Sequence, residues 1–553
     1  MKIRILFCCT VMCALALVAS QCNSRPVATT SASEIPHLQK HGTATQLIVD
    51  GKPFLARAGE LSNNAATSVE YMQPIWPNFV EAKLNTVLAG VSWAQVEPQD
   101  GKFDFSVLDG IVRDARSHNL RLVLLWFASY KNGSSSYPPD WLKKDFERYP
   151  RVQVAGGKSI EMLSPFSDAN RDADARAFAA LMRHVREIDG REHTVIMIQV
   201  ENEVGMPSDS RDRSTVANQA FAGPVPKELM DYLQAHKDTL IPELRQVWQA
   251  AGFKTAGTWE EVFGKSVATD EIFMGWNLAR YVGRVAEAGK AEYPIPMYVN
   301  AAVMGFARVG PPANAHGGGP LCQLMDVWRA GGPQIDILSP DIYGNDDFFV
   351  STTAAYARSG NPLFIPESNG GREGATRALY AFGRHNAIGF SPFGIDGSRA
   401  PDTDLISGYD LIAQLAPLIL ANQGKGTVSA VLLGQNNPSQ KIQVGNYTLE
   451  AASLRPRAMP GAPPPPATVP STAAIFIAVG PDEYFVAGSG MTVSFSPNTP
   501  GPSQAGLGTV EEGSFVNGFW VPGRQLAGDE TGQGDYVSLR NLGIQHVTLY
   551  RYE

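Results

Sequence analysis

Cysteine is scarce in this chain. Of its five cysteines, Cys8, Cys9 and Cys13 fall inside the first twenty residues, a segment that reads as a removable leader. Only Cys22 and Cys322 remain, so the mature fold does not rest on a disulfide framework. No spacing of His and Cys suggests a zinc site. After the leader, no uninterrupted run of about 18 apolar residues reads as a membrane span. No long basic run occurs either, and a formal net charge of -8 offers nucleic acid no electrostatic footprint. Gly-x-Ser-x-Gly is absent, so His316-Gly317-Gly318-Gly319 reads as a flexible loop near the mouth of a barrel rather than as an esterase oxyanion loop. Gly370-Gly371-Arg372-Glu373-Gly374 lacks the spacing and setting of a dinucleotide loop. No cofactor, metal or protein partner is implied.

A hydrophobic content of 44% with 18% charged residues is ordinary for a soluble enzyme. At 553 residues the chain is too long for one ordinary core, which implies a large domain plus a smaller one. Its start carries a targeting pattern. Lys2 and Arg4 precede an apolar stretch from Ile5 to Ala19, and Val18-Ala19-Ser20 supplies small residues before Gln21. That pattern predicts export to the periplasm or an outer-membrane association. Cys22 is an alternative lipid-attachment point and the one expected tie to a membrane, although Gln21 suits a lipidated neighbour poorly.

Apolar strand-like runs then alternate with amphipathic helical segments. The expected strands are Phe54–Glu60, Thr86–Trp93, Arg121–Phe127, Thr194–Glu201, Pro296–Ala302, Ile335–Ile342, Leu363–Pro366 and Ala387–Phe393. Between them the pattern predicts helices over Ser68–Leu84, Phe105–Ser117, Ala173–Ile188, Lys227–Ala251, Glu271–Gly289, Leu321–Ala330 and Thr376–His385. Eight such strands point to an α/β fold, a (β/α)8 TIM barrel. After about Gly424 the runs become short and β-rich, with turn residues between them and a proline run at Pro463–Pro466. The expected division is a signal peptide over 1–20, a flexible segment over 21–42, a catalytic barrel over 43–424 and an all-β domain over 425–553.

In a TIM barrel the site forms at the C-terminal ends of the strands. Two apolar runs end in carboxylates there: one in Glu201-Asn202-Glu203, the other in Glu367-Ser368-Asn369. Carboxylates at an apolar mouth are costly unless paired or used. Two facing one pocket are what glycoside hydrolysis requires, one protonated and one ionised. Alternate strand residues point the same way, so Glu201 and Glu203 are both candidates for the first role.

Gln199-Val200-Glu201-Asn202-Glu203-Val204-Gly205 resembles the acid/base motif of glycoside hydrolase family 35, the β-galactosidases. Asn85–Trp93, Gln95-Val96-Glu97-Pro98 and Gly101–Phe105 are similar to that family's second strand and following helix. The likeness covers roughly residues 45 to 400. The resemblance implies Glu203 as acid/base, since the clan places the acid directly after Asn, and Glu367 as nucleophile. It implies Asn202 on the sugar 2-hydroxyl, Tyr343 as a donor to the nucleophile, and Glu201 as a supporting or sugar-binding group. Arg57-Ala58-Gly59-Glu60 departs from the family's first strand, so Glu60 is a candidate sugar contact without a role carried over. The substrate implied is a plant-type oligosaccharide with terminal β-galactosyl residues, as in xyloglucan side chains.

Trp93 and Trp126 end the second and third runs, where aromatic faces can stack on a sugar or simply pack. Two other readings stand beside the galactosidase. One keeps the mechanism with a glucoside, mannoside or arabinofuranoside. The other is a non-catalytic glycan-binding protein.

Overall fold

The computed structural model describes residues 34–303, 317–397, 402–454 and 470–553. The leader, Cys22, His316 and the Pro463–Pro466 run lie outside them.

All eight expected barrel strands form: β1 (Ala56–Glu60), β2 (Thr86–Ser92), β3 (Arg121–Lys131), β4 (Val195–Asn202), β5 (Met297–Val303), β6 (Ile337–Ile342), β7 (Phe364–Ser368) and β8 (Gly389–Pro392). They close into one parallel barrel in chain order. Their runs are continuously apolar because each is covered twice, by helices outside and by the barrel filling inside. In β3 every residue after Arg121 is buried. The filling comes from Ala58, Leu88, Val123, Leu125, Phe127, Met197, Tyr298, Ile337 and Phe364. Each large apolar chain so buried contributes about 1.5–3 kcal/mol. Gly389 is required by closeness: a Cβ there would stand 2.5 Å from the Phe364 ring.

A three-stranded antiparallel sheet (His37–His41, Ala44–Val49, Lys52–Phe54) plugs the bottom of the barrel. Its Leu47 and Val49 join the barrel filling, and His41 and Gln46 side chains bond to Gln423 and Leu420 carbonyls. Residues 34–42, read above as part of a flexible segment, are therefore held partly as strand, because Leu38 packs against this floor.

Proline splits two of the expected helices. Ser68–Leu84 becomes Val69–Met72 and Trp76–Glu81 around Pro74, and Lys227–Ala251 breaks before Pro242 into Lys227–Ala235 and Pro242–Ala250. Each proline removes an amide donor from the helical ladder.

The C-terminal strands are β9 (Val428–Leu433), β10 (Ser439–Val444), β11 (Tyr447–Ser453), β12 (Thr472–Gly480), β13 (Glu483–Gly488), β14 (Met491–Pro497), β15 (Gln504–Val516), β16 (Phe519–Gln525), β17 (Val537–Leu539) and β18 (Gly543–Tyr552). They form a six-stranded sheet ordered β9-β12-β13-β18-β15-β16 and a four-stranded sheet ordered β10-β11-β14-β17. Val431, Phe476 and Val486 of the first sheet pack on Ile442, Leu449 and Val493 of the second. The other face of the six-stranded sheet, through Ala430, Ile475 and Ile477, joins the large core that continues over the barrel helices. Helix Gly371–His385 packs directly against it at Gly383, where a Cβ would lie 2.6 Å from that of Ala430.

Candidate active site

The mouth of the barrel is built from residues at or just past the C-terminal strand ends. At β4 the backbone leaves the regular alternation. Glu201 and Glu203 both take left-handed φ, at 63° and 46°. For residues with a Cβ this costs on the order of 1–3 kcal/mol each, a strain kept mainly where function needs it. The result is that consecutive Asn202 and Glu203 both serve the pocket, while Glu201 turns away. Alternation had put Glu201 and Glu203 on one side, and the two left-handed residues overturn that.

Glu201 is fully buried and accepts from the Tyr130 amide at 2.6 Å. Asp174 on helix Asp168–Asp189 is its carboxyl neighbour. Burial first, and then the Asp174 charge, push its pKa well up. Asp174 receives the Ser129 hydroxyl and the Trp126 indole N–H, the latter at 2.9 Å. Glu201 thus braces the end of β4 against the helix layer.

Trp93 and Trp126 are likewise part of the packing. Both are 0% exposed. Trp93 donates its indole N–H to Glu97 at 2.8 Å. Neither offers a face to a sugar, so neither is the stacking platform that its place at a strand end allowed. Strand runs ending in tryptophan look the same whether the ring faces the mouth or the helices.

Carboxyl oxygens of Glu203, Asp341 and Glu367 lie within 4.8 Å of one another. Glu203 and Glu367 keep 7% and 6% of their surface exposed, so they are accessible from the mouth. Glu367 receives the Tyr343 hydroxyl at 2.9 Å and the Asn202 amide at 3.4 Å. Glu203 accepts from the Asn132 side chain, and its own backbone N–H donates to Asn300 Oδ1 at 2.9 Å. Asn300 in turn donates to Asp341 at 2.7 Å. Glu60 sits at the end of β1, 0% exposed, with no donor among the described residues on either oxygen.

Four carboxyls thus crowd one mouth, and the buried ammonium of Lys131 acts on two of them, Glu60 and Glu203. They cannot all ionise, because each buried unpaired charge costs several kcal/mol. Burial and the neighbouring Glu367 charge push Glu203 up to about 7, against the pull of Lys131, Asp341 and Asn132. Burial, followed by the charges of Glu367 and Glu203, raises Asp341 well above the usual carboxylate range. Burial chiefly does the same for Glu60. The two donors aimed at Glu367 fit an anion, whereas Glu203 is poised to exchange a proton near neutrality. Three carboxyl groups this close could bracket a cation. Each, however, already accepts from a neutral donor, which suits a cluster that shares protons.

The structure brings Asn202, Glu203, Tyr343 and Glu367 together and places Glu60 within the same electrostatic field. Sequence reasoning missed Asp341, Asn300, Lys131 and Asn132. A signal existed for two of them: Asn300 and Asp341 interrupt apolar runs near their C-terminal ends, where a polar side chain enters a barrel mouth. Lys131 and Asn132 lay beyond the expected end of β3 at Phe127.

Residues 66–273 match the family model of glycoside hydrolase family 42, described as β-galactosidase. Residues 405–538 match a domain of unknown function, DUF5597. A β-galactosidase of Xanthomonas manihotis is 28% identical over 202 residues, which span 35% of this chain and 30% of that protein. The chain thus covers less than a third of the length of that curated relative. Among solved structures, the β-galactosidase from Bacillus circulans sp. alkalophilus is 16% identical with a TM-score of 0.45, covering 66% of this chain and 57% of that one. The catalytic domain of β-amylase from Paenibacillus polymyxa is 14% identical with a TM-score of 0.46, covering 64% and 97%.

Proposed function

We propose that this protein is a retaining, exo-acting β-galactosidase in which Glu203 is the acid/base and Glu367 the nucleophile. The observation that carries the proposal is the pair itself: two barrel-mouth carboxyls with oxygens within 4.8 Å and opposite surroundings. Retaining glycosidases hold their pair about 5–5.5 Å apart, leaving no room for a water between nucleophile and sugar. The match of residues 66–273 to a β-galactosidase family model supports the sugar.

In the first step Glu367 attacks the anomeric carbon while Glu203 protonates the departing oxygen. Tyr343 and Asn202 hold the Glu367 carboxylate before attack, and Asn202 Oδ1, buried and without a partner among the described residues, is open to accept from the sugar 2-hydroxyl. In the second step Glu203, now ionised, deprotonates the water that releases galactose with retained configuration. The β4 motif and its likeness to family 35 members active on xyloglucan side chains support a plant-type oligosaccharide as the natural substrate. The leader pattern supports export, with Cys22 as a lipid-attachment point.

The test is hydrolysis of a panel of aryl β-glycosides with Glu367→Ala in parallel. Release from the β-galactoside, abolished in the variant, supports the proposal. Release from a different glycoside keeps the mechanism and overturns the sugar. Binding without turnover by any member, with the protein folded, favours a glycan-binding role.

A further inference from the structure

Asp341 is unexplained by the mechanism so far. It lies on β6, 1% exposed, and its Oδ2 accepts from Asn300 at 2.7 Å. Its Oδ1 has no donor among the described residues. The orientation of Asn300 fixes which oxygen is which. Asn300 Oδ1 must face the Glu203 amide N–H, so its Nδ2 must face Asp341. Asp341 Oδ2 is therefore an acceptor, and Oδ1 is left for a proton. Within 4.8 Å the carboxyl partners are Glu203 and Glu367. Among the described residues Glu367 already takes two donors, while Glu203 has Asn132 on one oxygen.

Building on the glycosidase reading, we propose that Asp341 is a positioning residue for the acid/base: held as the neutral acid, it donates a hydrogen bond to the Glu203 carboxyl. The groups facing it agree. Glu60 on β1, Glu203 after β4 and Glu367 on β7 all disfavour a charge on Asp341. Tyr298 on β5, Tyr343 just past β6 and Tyr356 on the following helix are neutral phenols whose ionisation is itself suppressed. Lys131, the last residue of β3, acts on Glu203 and Glu60. Asp341 keeps its proton throughout the cycle. When Glu203 gives its own proton to the leaving oxygen, the Asp341 O–H stabilises the carboxylate that results. This makes Glu203 a stronger acid than burial beside Glu367 alone would leave it.

Infrared difference spectra between the parent and Asp341→Asn at neutral pH read the proton directly. The expected result is loss of the C=O stretch of a protonated carboxylic acid; loss of a carboxylate band instead overturns the proposal. Kinetics read the consequence. Asparagine keeps both hydrogen bonds, so Asp341→Asn should cost at most a few-fold and hold the alkaline limb in place. Asp341→Ala removes the donor. It should raise that limb by up to about one pH unit and cost tenfold or more on oligosaccharides, with a smaller loss on nitrophenyl glycosides. A lowered alkaline limb in Asp341→Asn means a charge was removed and contradicts the proposal. Equal losses in both variants with an unmoved limb would reduce Asp341 to packing. If the acid band is lost but no glycoside is turned over, the proton on Asp341 stands and the glycosidase reading fails.

Discussion

Glu203 and Glu367 differ less in chemistry than in what points at them. Glu367 has a phenol and an amide donating to it, whereas Glu203 has burial and a neighbouring negative charge. Glu203→Gln should therefore spare the first step on nitrophenyl galactoside and slow the second, and azide should restore turnover. On poor leaving groups kcat/KM should fall by about 10²–10⁴; equal loss on every substrate would contradict the role. Tyr343→Phe removes a charge-directed donor worth about 1.5–3 kcal/mol, so kcat should drop roughly 10- to 100-fold without unfolding. If Glu203 is the acid proposed above, activity of the parent should fall as pH rises through about 7, where its carboxyl loses its proton.

At the scale of elements, the end of β4 decides which carboxylate faces the mouth. Period-two alternation is a good guide within the strand, but two left-handed residues break it at the mouth. The separation of Glu201 from Glu203 was thus not legible from spacing. Trp126 shows the same limit, since its ring serves the β3-to-helix layer. Trp126→Phe should lower Tm, because buried Asp174 loses a donor worth on the order of 1–3 kcal/mol, and should leave KM unmoved. A platform residue would raise KM instead. The eight strands, by contrast, were readable because burial on two faces leaves continuous apolar runs. β15 and β16 were not: their exposed, glycine-containing runs QAGLGTVEEGSFV and FWVPGRQ carry little alternation. Helix Asp346–Tyr356 also escaped, because threonines fill part of its buried face and blur the apolar stripe.

For the whole molecule, the active site is a cost borne by the surrounding core. Glu60, Glu201 and Asp341 have pKa values raised well above 4.5, 4.5 and 3.8. Below those ordinary values, folded and unfolded chains hold the same protons. As pH rises beyond them, the unfolded chain releases its protons first, so this contribution to stability is lost toward neutral and alkaline pH. Glu60→Gln removes one such group. It should raise Tm at pH 8 and change it much less at pH 5; the reverse pattern would deny the buried neutral acid. The shared core between barrel helices and the six-stranded sheet makes a second prediction. Gly383→Leu should lower Tm by overpacking against Ala430 and Ile475, while KM for an aryl galactoside stays put.

The central claim is a covalent galactosyl intermediate on Glu367. A 2-deoxy-2-fluoro galactoside with an activated leaving group slows both steps but lets the intermediate accumulate. Mass spectrometry of the inactivated protein should show one added fluorogalactosyl group, mapped to the peptide that carries Glu367. A label on Glu203, Asp341 or Glu60, or steady turnover with no label at all, would contradict the account.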